Sequence, residues 1–359
     1  VHRKKLQISP AWLFKSEDGE LFDPVLFRLL EGIRDGGKLT LAARQAGVSY
    51  RHAWNLLNRG NDFFGLPLVD MHKGRGTRLS TLGETLLWSE QRVKARLGPQ
   101  MDSMASELNN QLQQLLAGAH PVLRLHASHG YAVALLPRFA DRVELDLQYC
   151  NPTEALNALG RGDCDLASFH FPACPRLAER VMRAYREQLD LKNLRVIRFV
   201  TREQGLIIRR DSRDTVTGLA DLTRPDIRFI NRDEHSGTRI LFNMLLAEQG
   251  ITEGQINGAE HEEFTHTAVA AYVAAGMADV GFGVEAAAAQ FGLDFIHLSS
   301  EHYLLICPED RLKQDNMQQL LSLMTSAPFL TEIDKLVGYA PDRCGEICTF
   351  AQLLESDRH

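Results

Sequence analysis

The chain has 359 residues, 44% hydrophobic and 24% charged, with a formal net charge of −6 at pH 7. That length allows two or three domains with full cores, while the lack of an apolar run of 18 residues or of a signal-peptide core argues against a membrane span and for a soluble, cytoplasmic protein. Residues 1–117 carry 16 Lys and Arg against 12 Asp and Glu, and the remainder 24 against 34, so a mildly cationic head precedes an acidic body.

The chain opens on Val1, which implies a missing initiator or short leader. Leu6 to Phe22 alternates loosely around Glu17-Asp18-Gly19-Glu20 and reads as a hairpin. Leu26, Leu29, Leu30 and Ile33 follow at helical spacing until Gly36-Gly37 stops them. From Leu39 the small and apolar residues Ala42, Ala43, Ala46, Val48, Ala53 and Leu56 surround Gly47, the spacing of two short helices crossing through a tight turn. Ser49 stands where an N-cap oxygen starts the second helix, whose outward positions are Tyr50, Arg51, His52, Asn55 and Arg59. These groups suit base edges and phosphates. Pro67-Leu68-Val69 and Thr77-Arg78-Leu79 then read as short strands flanking a loop with Lys73, Gly74, Arg75 and Gly76, a basic wing in which Lys73, Arg75 and Arg78 would meet the DNA backbone.

Ala43, Gly47, Val48 and Ser49, with Phe64 to Val69 and Thr77 to Ser80, resemble the winged helix-turn-helix of LysR-type regulators. Ser49-Tyr50-Arg51 with Ala53-Trp54 is similar to the head of the molybdate-responsive regulators. The resemblance covers about residues 20–90 and implies double-stranded DNA as a partner.

Leu82, Leu86, Val93 and Leu97 continue a helical pattern that Gly98-Pro99 interrupts. It resumes as Met101, Met104, Leu108, Leu112 and Leu115, a seam suited to a second copy of itself and hence to a homodimer or higher homo-oligomer. After Gly118 to Pro121 the pattern becomes α/β. Strands are expected at Val122–Ala127, Leu145–Tyr149, Asp165–His170, Val196–Val200, Leu206–Arg209, Ile227–Asn231, Ala278–Phe282 and His297–Cys307, alternating with helices.

Within this body, Asn231 to Arg239 follows a strand and opens a helix. The amides of Gly237 to Arg239, the hydroxyls of Ser236 and Thr238, and the cations Arg232 and Arg239 could therefore converge on one anion. Ser128-His129 and Ser168 to His170 end two other strands, Thr265-His266 starts a helix, and Tyr303 lies on the returning strand. Ser236 to Arg239, Glu262 to Gly276 and Ala278 to Gly283 resemble the periplasmic-binding-protein fold over about residues 120–315. Ser-Gly-Thr at a helix start is similar to oxyanion loops of phosphate- and tungstate-binding proteins, although His126-Ala127-Ser128-His129 replaces the threonine-rich first loop of the tungstate binders.

The fold class expected is α/β overall: an N-terminal winged helix-turn-helix (1–80), a linker and dimerisation helix (81–117), a two-lobed type II periplasmic-binding-protein-like domain (118–315) and a C-terminal helical segment (316–359). The function expected is a one-component regulator sensing a small anion, a molybdate- or tungstate-type oxyanion or a small carboxylate such as formate, with control of molybdenum or tungsten metabolism implied by the resemblance. A ligand-blind DNA binder is the alternative. An enzyme is disfavoured, because Asp165, His170, Glu263 and His266 lack a nucleophile elbow, a phosphate loop or a metal-ligand series around them. No cofactor or metal is expected. Cysteines 150, 164, 174, 307, 344 and 348 form no CxxC pair, and Cys344 and Cys348, read as one helical face, lack a His pair.

Overall fold

The computed structural model describes residues 13–19, 21–72, 76–117, 121–140, 143–186 and 193–356. The chain divides into a head ending at Ala95 and a body from Arg96 onward.

In the head, α1 (Val25–Gly36), α2 (Leu39–Gln45) and α3 (Tyr50–Phe64) precede the strands β1 (Val69–His72) and β2 (Gly76–Leu79). Helix α1 ends because Gly37 takes a left-handed φ of 62°, which turns its N–H back to the Ile33 carbonyl at 2.9 Å. Gly47, at φ 73°, makes the tight turn between α2 and α3. Ser49 then caps α3, its Oγ accepting the His52 N–H at 3.2 Å. Leu26, Leu29, Leu30, Ile33, Ala42, Ala43, Ala53, Leu56, Leu57 and Leu68 fill one core, and the small alanines let the helices approach. The hairpin registers Val69 with Leu79 and His72 with Gly76. The first strand thus lies beyond the expected Pro67–Val69: proline has no N–H to give a ladder, and the Pro67 carbonyl accepts the Ser80 hydroxyl instead. Of the proposed N-terminal hairpin, the described part shows an isolated antiparallel bridge between Lys15 and Leu21.

Helix α4 (Thr81–Ala117) runs unbroken through Pro99, correcting the expected interruption at Gly98-Pro99. A proline removes one backbone donor but, flanked by strong helical sequence, bends a helix rather than ending it. Past the proline, one face of α4 covers an edge of the body sheet. Ser103 Oγ accepts the Tyr149 N–H at 2.8 Å, and Ser106 Oγ accepts the Leu147 N–H at 3.1 Å. These hydroxyls stand in for a missing neighbouring strand. The opposite face leaves Met104, Leu108, Leu112 and Leu115 exposed, Leu115 at 83%.

The body continues with β3 (Val122–Ala127), α5 (Leu136–Phe139), β4 (Glu144–Tyr149), α6 (Pro152–Arg161), β5 (Leu166–Pro172), α7 (Pro175–Arg186) and β6 (Leu194–Ile208). Next come β7 (Phe229–Arg232), α8 (Gly237–Glu248), β8 (Glu262–Glu263), α9 (His266–Ala274), β9 (Val280–Val284), α10 (Glu285–Gln290) and β10 (Asp294–Pro308). The sheet order is β4-β3-β5-β10-β6-β9-β7-β8. Strands β4, β3 and β5 are mutually parallel, as are β9, β7 and β8, and the long antiparallel pair β6 and β10 joins the two groups. Each parallel group is one lobe, and the long strands belong to both.

Two expectations are corrected here. Val196–Val200 and Leu206–Ile208 are parts of one 15-residue strand, ending one residue before the expected Arg209, whose polar middle, Thr201 to Gln204, stays in the ladder. The last segment is not wholly helical: between α11 (Asp315–Met324), α12 (Ala327–Asp334) and the final α13 (Phe350–Ser356) it contributes β11 (Tyr339–Pro341) and β12 (Ile347–Cys348), both paired to β6. Cys348 therefore sits on a strand rather than sharing a helical face with Cys344. Arg198 on β6 holds Asp342 through two bonds of 2.6 and 2.7 Å, and the His302 Nδ1 lies 2.9 Å from the same carboxylate, fastening this segment to the central strands.

Candidate functional site

The head and the body each gather polar side chains, under opposite conditions. On α3, the buried positions Ala53, Leu56, Leu57 and Gly60 face the core. Tyr50, Arg51, His52, Asn55 and Arg59 lie exposed on the other side, joined by Trp54, noted above only for the resemblance it carries, and by Asn58, which sequence reasoning did not single out. Ser49 serves as the cap described above. Arg78 is exposed on β2, while Lys73 and Arg75 lie outside the described residues.

In the body, the cluster is built on the central strands. Arg202 and Glu301 are direct cross-strand partners on β6 and β10. Both are 2% exposed, and the Arg202 Nε donates to Glu301 Oε2 at 2.7 Å. Gln204, two residues along and so on the same face of β6, donates its Nε2 to the same oxygen at 2.7 Å. From β5, His170 presents Nδ1 to the Arg202 Nη2 at 3.3 Å. A guanidinium can only donate, so Nδ1 accepts and the His170 proton resides on Nε2, 3.4 Å from Ser168 Oγ. Ser168 Oγ also accepts the Ser128 N–H at 2.9 Å, and the Tyr303 hydroxyl donates to the Ser128 carbonyl at 2.7 Å. The Tyr303 ring packs edge-on to His170 at 4.2 Å and beneath the Arg202 guanidinium at 5.1 Å.

The second lobe adds Arg232 at the end of β7, Thr238 in the first turn of α8 and His266 at the start of α9. All three are buried. Thr238 Oγ1 lies 3.4 Å from Gln204 Nε2 and 3.5 Å from His266 Nε2, which ties the second lobe to the central strand.

Arg232 differs from Arg202 in having no carboxylate within ion-pair distance among the described residues. It is 6% exposed, and its Nε and Nη1 are buried with no hydrogen-bond partner among those residues; the Arg202 Nη1 is likewise unbonded, but that guanidinium is paired with Glu301. Burial, then the charge of Arg202, pushes its pKa down to about 10. The same two guanidiniums act on the histidines. Burial, then Arg232 and Arg202, pushes His129 down to about 4; burial and Arg202 push His170 down to about 3. His266 is driven well below its ordinary value by burial and by Arg232. At neutral pH the cluster therefore holds three uncharged imidazoles, the Arg202–Glu301 pair and the Arg232 cation, which feels the charges of Asp233, Glu301 and Glu263 but forms no ion pair among the described residues.

Not all residues expected here converge. Ser236 is an N-cap, its Oγ accepting the Arg239 N–H at 3.1 Å and donating to the Asp233 carbonyl at 2.8 Å. Arg239 is committed to Glu253 and, at 2.7 Å, to the Arg232 carbonyl. The Asn231 side chain bonds the Ala259 carbonyl and the Arg232 N–H, fixing the strand end. Thr265 caps α9 through the Ala268 N–H. Gly237 lies beside His170: a Cβ built on it would stand 3.9 Å from the His170 Cβ. These groups hold the loop around Arg232 in shape. Arg202, Gln204 and Glu301 were missed, although polar residues at i and i+2 inside an apolar strand signal one shared polar face.

Residues 134–325 match the family model described as a PBP superfamily domain. The chain belongs to the PBP superfamily. The uncharacterized protein YvgK of Bacillus subtilis is 27% identical over 202 residues, 56% of this chain and 64% of YvgK, so the chain spans just under two thirds of that relative. The transcriptional regulator ModE of Haemophilus influenzae is 36% identical over 77 residues, 20% of this chain and 30% of ModE. Among solved structures, the LysR-type regulator HypT of Salmonella typhimurium covers 81% of this chain and 93% of its own, at 14% identity and a TM-score of 0.42. One chain thus joins a three-helix head with a two-stranded hairpin to a PBP superfamily body. Among the described residues no helix is long and apolar enough to cross a membrane.

Proposed function

We propose that this protein is a one-component transcription regulator whose head reads double-stranded DNA and whose body senses a small anion, an oxyanion of the molybdate type or a small carboxylate. Arg232 carries the reading. A buried guanidinium with unused donors costs free energy unless something negative meets it, and a ligand bound between the lobes would. Thr238, His266, His129, His170 and Arg202 would surround that ligand, drawing on both lobes and the strands that join them. For the ligand to switch the protein, it must bind two arrangements of the chain with different affinity.

On the DNA side, Arg51, His52, Asn55 and Arg59 present donors along one exposed face of α3, and Arg78, exposed on β2, adds a cation to them. The exposed Met104, Leu108, Leu112 and Leu115 on α4 support pairing with a second copy, which would give two reading heads for a palindromic site. We place the protein in the cytoplasm on the same reading, and control of molybdenum or tungsten metabolism is the narrower role that similarity to ModE supports.

The test is selection of bound duplexes from random-sequence DNA, then titration of their affinity against small anions at fixed ionic strength. A change of fivefold or more with one anion is expected, the scale of typical allosteric coupling. If no duplex is selected, the DNA role fails; if every anion leaves affinity unchanged, the sensing role fails.

A further inference from the structure

The donors and acceptors left unused in the cluster say more about the ligand than its sign. Gln204 is fully buried, and its amide orientation is fixed by its neighbours. With Nε2 toward the Glu301 carboxylate at 2.7 Å and the Thr238 hydroxyl at 3.4 Å, it donates; flipped, it would set a carbonyl oxygen against a carboxylate. That fixed orientation leaves Oε1 as a buried acceptor with no hydrogen bond among the described residues, in a cluster where the Arg232 Nε and Nη1, the Arg202 Nη1, the Ser128 Oγ and the Nδ1 atoms of His129 and His266 are also unbonded. The two ends of the demand are chemically different. Arg232 asks for a negative oxygen, and Gln204 Oε1 asks for an N–H or O–H. His170 does not supply the latter, because its Nδ1 accepts from Arg202 and its Nε2–H faces Ser168, and none of the unbonded groups on Arg202, Ser128, Arg232 or His266 lies within hydrogen-bond distance of Oε1.

We infer that the site is built for a small anion that carries a hydrogen-bond donor of its own, a protonated oxyanion or a hydroxy- or amino-substituted carboxylate, rather than for a fully deprotonated oxyanion. The inference rests on the anion site proposed above and narrows its ligand class. Molybdate, tungstate, sulfate and formate offer only acceptors at neutral pH; each would satisfy Arg232 and leave Gln204 Oε1 buried and unmet. A site holding such an unmet group rejects the ligand that lacks the matching one.

Matched pairs test this by calorimetric titration of the full chain at pH 7: phosphate against sulfate for the oxyanions, and glycolate and glycine against acetate for the carboxylates. The donor-bearing member is expected to bind at least tenfold more tightly, and the pair that binds at all identifies the source. Gln204→Met keeps the side-chain length, removes the acceptor and is expected to erase most of the difference. Should that variant not fold, the wild-type pairs decide alone. If sulfate, molybdate and acetate bind as tightly as their partners, and Arg232→Met abolishes all binding, the anion site stands and the donor requirement is overturned. If no anion of either series binds the wild type, both readings are overturned.

Discussion

The head and the body use polar side chains in opposite ways. On α3 Arg51 and Asn55 stand exposed, where water can satisfy them, so they cost the fold little and are available to another surface. In the body Arg202, Gln204, Glu301 and His170 have left water, and each must find a partner inside the protein or cost several kcal/mol. The difference turns satisfaction into a guide. Where a buried charge is held by an opposite one, as Arg202 is by Glu301 even though its Nη1 stays unbonded, the group is structural; where none of the described residues pairs with it, as with Arg232, the protein has kept it at a cost that folding alone does not explain.

The largest effect expected from this contrast comes from splitting the matched pair. Arg202→Met strands Glu301 as a buried carboxylate whose remaining bond is to Gln204, and should destabilise the body by about 3–5 kcal/mol in denaturant unfolding. Replacing both Arg202 and Glu301 by apolar residues should recover much of that loss. Equal destabilisation by the single and double changes would show that packing, not the unpaired charge, is responsible.

The buried histidines sharpen the same comparison through pH. His129 and His170 have folded pKa values of about 4 and about 3, below the ordinary value of 6.5. Between those limits the unfolded chain binds protons that the folded chain refuses. The body is therefore at full stability above pH 6.5 and loses it as pH falls toward 4, by up to about 1.4 kcal/mol per pH unit for each histidine. A flat unfolding free energy from pH 7 to 4.5 would mean the imidazoles are not held neutral.

On the exposed side the effects should be smaller and confined to DNA. Arg51→Ala and Asn55→Ala should each weaken specific binding by about 1–3 kcal/mol if they reach bases, with stability nearly unchanged. A loss of stability as large as the loss of affinity would place them in the fold instead. Ser49→Ala removes the α3 cap and should cost the head about 1 kcal/mol, read as a shift in its unfolding midpoint.

Legibility in the sequence follows the same division. Helical spacing, Gly47 and Ser49 specify the head because an exposed amphipathic helix writes its period directly into the chain. The strands β3, β4 and β5 and the start of α8 were legible for similar reasons. The long strand β6 was not read as one piece: its polar middle, Arg202 to Gln204, looks like a connection unless the partner strand is known, whereas β10 was expected over His297–Cys307 and extends by only a few residues. Ser236 and Arg239 showed the converse error. Their residue types suit an anion, yet in the fold they cap a helix and bind Glu253, commitments that only the tertiary structure reveals.

The most direct measurement is thermal unfolding of the wild type and Arg232→Met over a series of small anions at matched ionic strength. An anion at about 100 times its dissociation constant should add roughly 2.7 kcal/mol to the stability of the wild-type body. Arg232→Met should be at least as stable without anion, since an unmatched buried charge has been removed, and should show no anion-dependent shift. An equal shift in both proteins, or a strong loss of stability in the variant alone, would contradict the assignment of Arg232 as the ligand's counter-charge.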